Sequence, residues 1–203
     1  MSSISPIDSP SIAASYSSLL SLSLLHPNED LSKFVNISAI AKDLSLFQLP
    51  DGSFRAQPET GEHDARMCFC ACATAALCNN DFSGINKASL LSYLDSLQTY
   101  EGGFGGEPGS EAHSGYTFCA VGCYVLMGEQ ERIPNRSNLL RFLTIRQQRG
   151  GFNGRTNKLE DVCYTWWNGA TLKMLGHRVL FLLFMLVYVS ISFYVSLFFI
   201  LIC

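Results

Sequence analysis

The segment QTYEGGF, residues 98–104, decides the fold because two similar segments flank it. They are QLPDGSF at residues 48–54 and QQRGGF at residues 147–152. Each begins with glutamine, passes through a turn that contains glycine, and ends in phenylalanine. The phenylalanines stand at positions 54, 104 and 152, so the period is about 50 residues. Such a period predicts an array of similar structural units that stack on one another.

Each unit is predicted to contain two helices. One is amphipathic, as in INKASLLSYLDSLQ at residues 85–98, where leucines recur at helical spacing. The other is apolar on all sides and is therefore predicted to be buried. The segments of this second kind are MCFCACATAALC at 67–78, YTFCAVGCYVLMG at 116–128 and YTWWNGATLKMLG at 164–176. No alternation typical of strands persists anywhere, so the predicted class is all-α, built from stacked helical hairpins.

Composition and charge indicate which binding partners and which cellular compartment to expect. The net charge is −3 over 203 residues, and no basic stripe with interleaved aromatic residues is present, so nucleic acid is not an expected partner. The N-terminus lacks the basic and apolar regions of a secretory signal peptide. The eight cysteines are therefore interpreted as reduced, and the protein as cytoplasmic.

The C-terminal segment differs abruptly from the rest of the chain. Residues 179–203 contain no charged residue, glycine or proline, and are long enough to cross a bilayer as a hydrophobic helix. Two interpretations stay open, a membrane anchor and a non-native end to the reading frame. We therefore divide the chain into a disordered N-terminus at 1–10, the repeats at 11–176 and the hydrophobic tail at 177–203.

Polar residues lie between each turn and the buried helix that follows it. Because the units repeat, these segments are expected to line up at one end of the stack and to form a site there. The residues concerned are Glu62, Asp64 and Arg66 in the first unit, Glu111 and His113 in the second, and Arg155, Lys158, Asp161, Cys163 and Tyr164 in the third.

Two kinds of chemistry suit these residue types. Arginine, lysine, histidine and tyrosine together suit a diphosphate, since they offer positive charge and hydrogen-bond donors. Asp161 and Cys163 suit zinc, which accepts carboxylate and thiolate ligands. Structural roles are the alternative at each position: an ion pair between Arg155 and Asp161, a helix cap at His113, and core packing of the tryptophans.

Three motifs resemble the β subunits of the protein prenyltransferases over about residues 11–176. They are DGSFRAQPETGEHDARMCFCA at 51–71, YEGGFGGEPGSEAHSGYTFC at 100–119 and GGFNGRTNKLEDVCYTWW at 150–167. The resemblance implies an α-α toroid, a ring of helical hairpins around a cavity, paired with a helical α subunit. It also implies transfer of an isoprenoid from its diphosphate to a C-terminal CaaX cysteine whose thiolate is held by zinc (Zn2+).

The resemblance assigns roles to individual residues. Asp161 and Cys163 match two zinc ligands, and with Tyr164 they are the candidate catalytic residues. The positions that match diphosphate-binding residues are His113, Arg155, Lys158 and Tyr164. The positions that match the peptide and lipid pocket are Arg66, Phe69, Tyr116, Cys119 and Trp167, with Phe69 standing where the family usually has tyrosine.

The sequence also departs from the family pattern. The family's third zinc ligand is a histidine in a later repeat, and no such repeat follows Gly176 here. We therefore expect an incomplete ring that binds zinc poorly and is impaired as a catalyst. Short segments such as GATLKML at 169–175 favour the type I geranylgeranyltransferase β subunit. The alternatives are the β subunit of farnesyltransferase or of Rab geranylgeranyltransferase, a non-catalytic interaction protein that reaches membranes through 179–203, and a relative of the terpene cyclases.

Overall fold

The computed structural model describes residues 10–177. The predictions for the N-terminal residues 1–9 and for the tail from residue 178 onwards lie outside this range. Two compact units divide the chain between Tyr93 and Leu94. The regular elements are α1 (Ile12–Leu25), α2 (Ile37–Asp43), α3 (Ala65–Leu77), α4 (Lys87–Ser96), α5 (Ser114–Leu126), α6 (Arg136–Ile145), β1 (Gln147–Gln148), β2 (Gly151–Phe152) and α7 (Val162–Met174).

The first unit is organised by the packing of α1 against α3. Helix α3 was predicted to be buried because it is apolar on all sides, and the structure confirms this. Its buried residues are Ala65, Met67, Cys68, Cys70, Ala71, Cys72, Ala73, Thr74 and Ala75. Small side chains allow this helix to be enclosed on several faces at once.

The second unit is organised by the packing of α5 against α7, with α6 also in contact with α7. Helix α5 is buried along most of its length, up to Tyr124, whose side chain is fully buried and donates a hydrogen bond to Asp95 at 2.5 Å. On α6 the buried residues Leu139, Phe142 and Leu143 form one apolar face, as the amphipathic pattern predicts.

The repeated turn is built in the same way in both units. Gly52 has φ +96°, and a Cβ there would lie 2.1 Å from the carbonyl oxygen of Ser89 on α4. Gly102 has φ +97°, and a Cβ there would lie 2.2 Å from the carbonyl oxygen of Asn138 on α6. Glycine is therefore needed for the backbone conformation and also for the close approach of α4 or α6, in each case the second helix after the turn. The phenylalanines that end these two turns, Phe54 and Phe104, are fully buried.

The third turn departs from the all-α prediction on a small scale. Gln147 pairs with Phe152, and Gln148 with Gly151, in a two-residue antiparallel ladder. Two residues per strand give no alternation that a sequence pattern could reveal. All seven described cysteines are free thiols, in agreement with their interpretation as reduced residues. Within residues 10–177, no helix is long and apolar enough to span a membrane.

Candidate functional site

The N-terminal ends of α5 and α7 carry the candidate site in the second unit. His113 is the N-cap of α5 and Asp161 is the N-cap of α7. Since α5 packs against α7, the side chains near these two caps meet: His113 Nε2 lies 3.3 Å from Tyr164 Oη, and the two rings are in edge contact. Two helix N-termini close together favour an anion, because their backbone N–H groups are partly unpaired.

His113 is both a helix cap and a site residue. Its Nδ1 accepts a hydrogen bond from the backbone N–H of Gly115 at 3.1 Å. The neutral ring therefore carries its hydrogen on Nε2 and donates it to the hydroxyl of Tyr164, which leaves the phenol hydrogen for a ligand. Burial, and secondarily the nearby Arg155, lower the pKa of His113, while Glu111 opposes the shift. The structural alternative of a helix cap is thus confirmed.

Arg155 is held at the edge of this group. Its Nη1 donates to Glu111 Oε2 at 2.8 Å, and both side chains are about half exposed. The sequence-based alternative of an ion pair between Arg155 and Asp161 is therefore wrong, because Arg155 pairs with Glu111 instead. Glu111 lies at the same end of the unit, as the repeat predicts, because it comes two residues before the cap of α5; its pairing with Arg155 was not predicted. The Arg155 guanidinium is left partly accessible to a ligand.

The backbone between β2 and α7 packs closely on the site. A Cβ at Gly154 would lie 2.4 Å from the ring of Tyr164, so glycine is needed for the tyrosine to cover this segment. Ser114 donates its backbone N–H to Gly154 O at 2.8 Å, and its buried hydroxyl contacts Asn168 at 3.1 Å. Lys158 is exposed, and among residues 10–177 its ammonium group takes part in no ion pair. It is free to reach an anion beside Arg155.

Asp161 and Cys163 lie together, but in a capping arrangement. The Asp161 carboxylate accepts the backbone N–H of Cys163 at 3.0 Å. Burial and the neighbouring Asp161 raise the pKa of the Cys163 thiol to about 12, so without a bound cation it is protonated. The carboxylate and thiol are suitable zinc donors. Among residues 10–177, however, no third histidine, cysteine, aspartate or glutamate joins them, so the fit to zinc is partial.

The residues predicted for the lipid pocket divide between the units. In the second unit, the ring of Tyr116 lies 5.6 Å from that of His113, Cys119 is buried one turn further along α5, and Trp167 packs on Phe118 at 4.8 Å. These three residues lie on α5 and α7, further from the helix N-termini than the caps. Their surfaces are apolar, which suits an isoprenoid chain.

Arg66 and Phe69 lie in the first unit. The Arg66 guanidinium binds Asp64 through Nε and Nη2, at 2.9 and 2.6 Å from Oδ2, and Glu62 at 2.6 Å. These carboxylates raise its pKa, chiefly through the hydrogen bonds to Asp64. Phe69 makes an edge contact with Tyr16. The assignment of both residues to a peptide and lipid pocket stays a prediction.

The sequence analysis did not identify the residues that hold the segment between β2 and α7 in place. Arg146 contacts the segment that carries Arg155 and Lys158, and Asn153 and Thr156 belong to that segment; no role was predicted for any of the three. A signal existed for Arg146, because it lies four residues after Phe142 and continues the buried face of α6, where a charged residue is unusual.

The chain is similar to a known protein family and to several of its members. A family model described as the prenyltransferase alpha-alpha toroid domain matches residues 3–189. The chain is 37% identical over 171 residues to the protein farnesyltransferase subunit beta of Pisum sativum, and covers 40% of that relative. It is 39% identical over 169 residues to the geranylgeranyl transferase type-1 subunit beta of Dictyostelium discoideum, and covers 47% of it. These alignments include 84% and 83% of this chain.

A solved structure shows the same fold. Candida albicans protein geranylgeranyltransferase-I complexed with GGPP matches with a TM-score of 0.73 and 26% identity, over 85% of this chain and 55% of that one. The resemblance drawn from the three motifs and the α-α toroid fold that it implies are both confirmed. The chain spans less than half the length of the two curated relatives above.

Proposed function

This chain belongs to the prenyltransferase α-α toroid family, and from that premise we propose that it binds an isoprenoid diphosphate as the β subunit of a protein prenyltransferase. The observation that carries the proposal is the meeting of His113, Tyr164 and the Arg155 segment at the N-termini of α5 and α7. An anion with several charges is the ligand that this arrangement suits best.

The proposed chemistry is transfer of the lipid to a thiolate. The sulfur of a CaaX cysteine attacks C1 of the isoprenoid, the C1–O bond breaks, and diphosphate leaves. Negative charge grows on the leaving group, where Arg155, Lys158 and the Tyr164 hydroxyl would stabilise it. His113 would hold Tyr164 in the required orientation. The apolar surfaces of Tyr116 and Trp167 would receive the lipid chain.

Asp161 and Cys163 are proposed as two protein ligands of zinc. When bound, zinc would lower the pKa of the acceptor thiol, so that it reacts as a thiolate. Catalytic zinc sites use three protein ligands, and residues 10–177 offer two that lie together. We therefore propose that the chain by itself binds zinc weakly and is impaired as a catalyst.

The finer assignments follow the resemblance. We propose a geranylgeranyl group as the transferred lipid, an α subunit as partner, and a cytoplasmic location with membrane contact through residues 179–203 if that tail is native. A farnesyl group is the alternative, because relatives of both specificities match at 37–39% identity. Binding of the two lipid diphosphates, measured side by side, distinguishes these specificities.

The proposed diphosphate site is tested by calorimetric titration of the full chain with geranylgeranyl diphosphate and with inorganic diphosphate. Replacing Arg155 and Lys158 together by alanine should abolish both affinities. The matched control replaces Arg141 and Lys173, two exposed cations away from the site, and should leave binding unchanged. Equal affinity in the wild type and the Arg155→Ala, Lys158→Ala variant would remove the assignment.

Zinc is tested separately by equilibrium dialysis of the full chain against the metal. We expect weak binding that disappears in Cys163→Ala and persists in the control Cys203→Ala. One zinc per chain that survives gel filtration would contradict the proposal of weak binding. Zinc binding that is the same in Cys163→Ala would contradict the ligand assignment.

A further inference from the structure

A buried arginine lies behind the candidate site. Arg146 follows the last residue of α6 and caps that helix, and it is 5% exposed. Arginine is seldom buried to this extent unless it is paired, because removing its charge from water is costly. Burial lowers the pKa of its guanidinium, and the nearby carboxylates of Glu101 and Glu111 oppose this shift.

The contacts of Arg146 lead to the segment between β2 and α7. Its Nη1 donates to Thr156 Oγ1 at 3.2 Å, and the Thr156 hydroxyl donates in turn to Glu101 Oε1 at 3.1 Å. The guanidinium carbon lies 5.0 Å from the centre of the Phe142 ring, within reach of a cation–π contact. Its Nε has no hydrogen-bond partner in the described part of the chain. The guanidinium thus touches this segment at Thr156, one residue from Arg155.

The backbone of Arg146 contacts the same segment. Its carbonyl oxygen accepts the N–H of Asn153 at 3.0 Å, and the Asn153 side chain donates to the carbonyl of Lys158, also at 3.0 Å. The segment 153–158 is therefore fixed at its start by the Arg146 backbone, in its middle by the guanidinium, and at its end by Asn153. The two cations proposed to bind diphosphate, Arg155 and Lys158, flank Thr156.

We propose that Arg146 is a positioning residue, which holds residues 153–158 through Thr156 so that Arg155 and Lys158 face one diphosphate group. The proposal rests on the proposed function for its ligand, and on the contacts of Arg146 for its mechanism. Arg146 itself does not touch the ligand. Its removal frees the segment, so that the two cations lose their common orientation before the diphosphate arrives.

The first experiment measures hydrogen–deuterium exchange across residues 153–160 in the full chain without ligand. Arg146→Met and Thr156→Val should each raise the exchange rate of this segment about tenfold, as expected when a hydrogen bond to a charged group is lost. Thr156→Ser keeps the hydroxyl and should exchange like the wild type. Arg141→Met, on the exposed side of α6, is the matched control. Thr156 is exposed, so Thr156→Val decides the matter even if Arg146→Met fails to fold.

The second experiment measures the affinity for inorganic diphosphate in the same variants. Thr156→Val should weaken binding at least about fivefold with an unchanged melting temperature, and Thr156→Ser should restore it. A purely structural role for Arg146 would lower the melting temperature without this pattern of loss and rescue.

The outcomes separate the two proposals. No diphosphate binding by the wild type would overturn the proposed function, while the exchange rates would still decide whether Arg146 orders the segment. Faster exchange in Thr156→Val with unchanged affinity would overturn the positioning role. Unchanged exchange in Thr156→Val would overturn it as well, whatever the affinity.

Discussion

At the residue scale, His113 illustrates how one side chain serves the fold and the site together. Its Nδ1 caps α5, and its Nε2 reaches Tyr164. The cap needs the neutral ring, since a protonated Nδ1 could not accept the Gly115 N–H, whereas Nε2 carries a hydrogen for Tyr164 in either state. The pKa lowered by burial and by Arg155 agrees with this requirement.

A pH dependence of stability follows from His113. Its pKa is lower in the folded than in the unfolded state, so the unfolded chain binds more protons, and stability is lost as the pH falls through the unfolded value near 6.5. His113→Asn keeps a good capping residue that does not titrate. We expect this variant to lose less unfolding free energy than the wild type between pH 7.5 and about 5.5, as measured by denaturant titration. His63→Asn, at an exposed histidine, is the control, and equal losses in all three proteins would contradict the prediction.

Glu111 supplies a second prediction at this scale. Its carboxylate pairs with Arg155 at 2.8 Å and must share that guanidinium with an incoming diphosphate. Glu111→Gln should therefore tighten diphosphate binding about two- to fivefold, as expected for loss of an exposed competing charge. Titration at low and high salt checks this, because the gain should shrink as salt screens it. Glu131→Gln is the control, and weaker binding in Glu111→Gln would mean that Glu111 orients Arg155 instead.

How much of the site could be predicted differs from residue to residue. The sequence places Asp161, Cys163 and Tyr164 near one another because they share the start of α7. The meeting of Tyr164 with His113 follows from the repeat, which places the starts of α5 and α7 side by side. The buried position of Arg146 had a signal in the sequence, since it continues the buried face of α6, but its contact with Thr156 depends on tertiary structure that the pattern does not show.

At the element scale, hydrophobic pattern predicted the helices and repetition predicted the turns. Helices α3, α5 and α7 were expected to be buried from their apolar composition, and α3 and α5 are, whereas α7 buries one face only and leaves Trp166 exposed. Helices α4 and α6 were expected to be amphipathic, as they are. The pattern could not predict that each glycine turn also contacts the second helix after it. At Gly102, for example, the contact is with the carbonyl group of Asn138, which is 36 residues further along the chain.

The turn at Gly102 gives a prediction about stability. Gly102→Ala places a methyl group against the Asn138 carbonyl and also strains a positive φ, and should cost about 2–4 kcal/mol. Gly109→Ala is the matched control, because Gly109 has φ +80° but its Cβ would meet nothing within 4 Å. It should cost only about 1 kcal/mol for the strain. Urea denaturation measures both, and equal losses would show that the contact with α6 is unimportant.

At the scale of the whole molecule, the period of the turns predicted the architecture before any residue role was known. A repeated unit buries its apolar helices only against similar neighbours, so stacked helical hairpins follow from the repeat, whereas the α-α toroid was implied by the resemblance of the three motifs. The proposed division at residues 10–11 and 176–177 stays a prediction. Charge and composition did not identify a partner, because a net charge of −3 with no cluster of one sign favours no particular class of binding partner.

The tail at residues 179–203 gives the last prediction, which concerns how the whole chain distributes between water and lipid. An uncharged apolar segment of this length should hold the full chain on membranes through a carbonate wash. Val189→Lys with Ser192→Lys places two charges near the middle of the segment, at about 2.5–3.5 kcal/mol each, and should move the chain to the soluble fraction. Val187→Leu keeps the apolar character and is the control. Retention of the doubly charged variant on membranes would mean that the attachment lies elsewhere in the chain, and a wild-type chain in the supernatant would remove the anchor altogether.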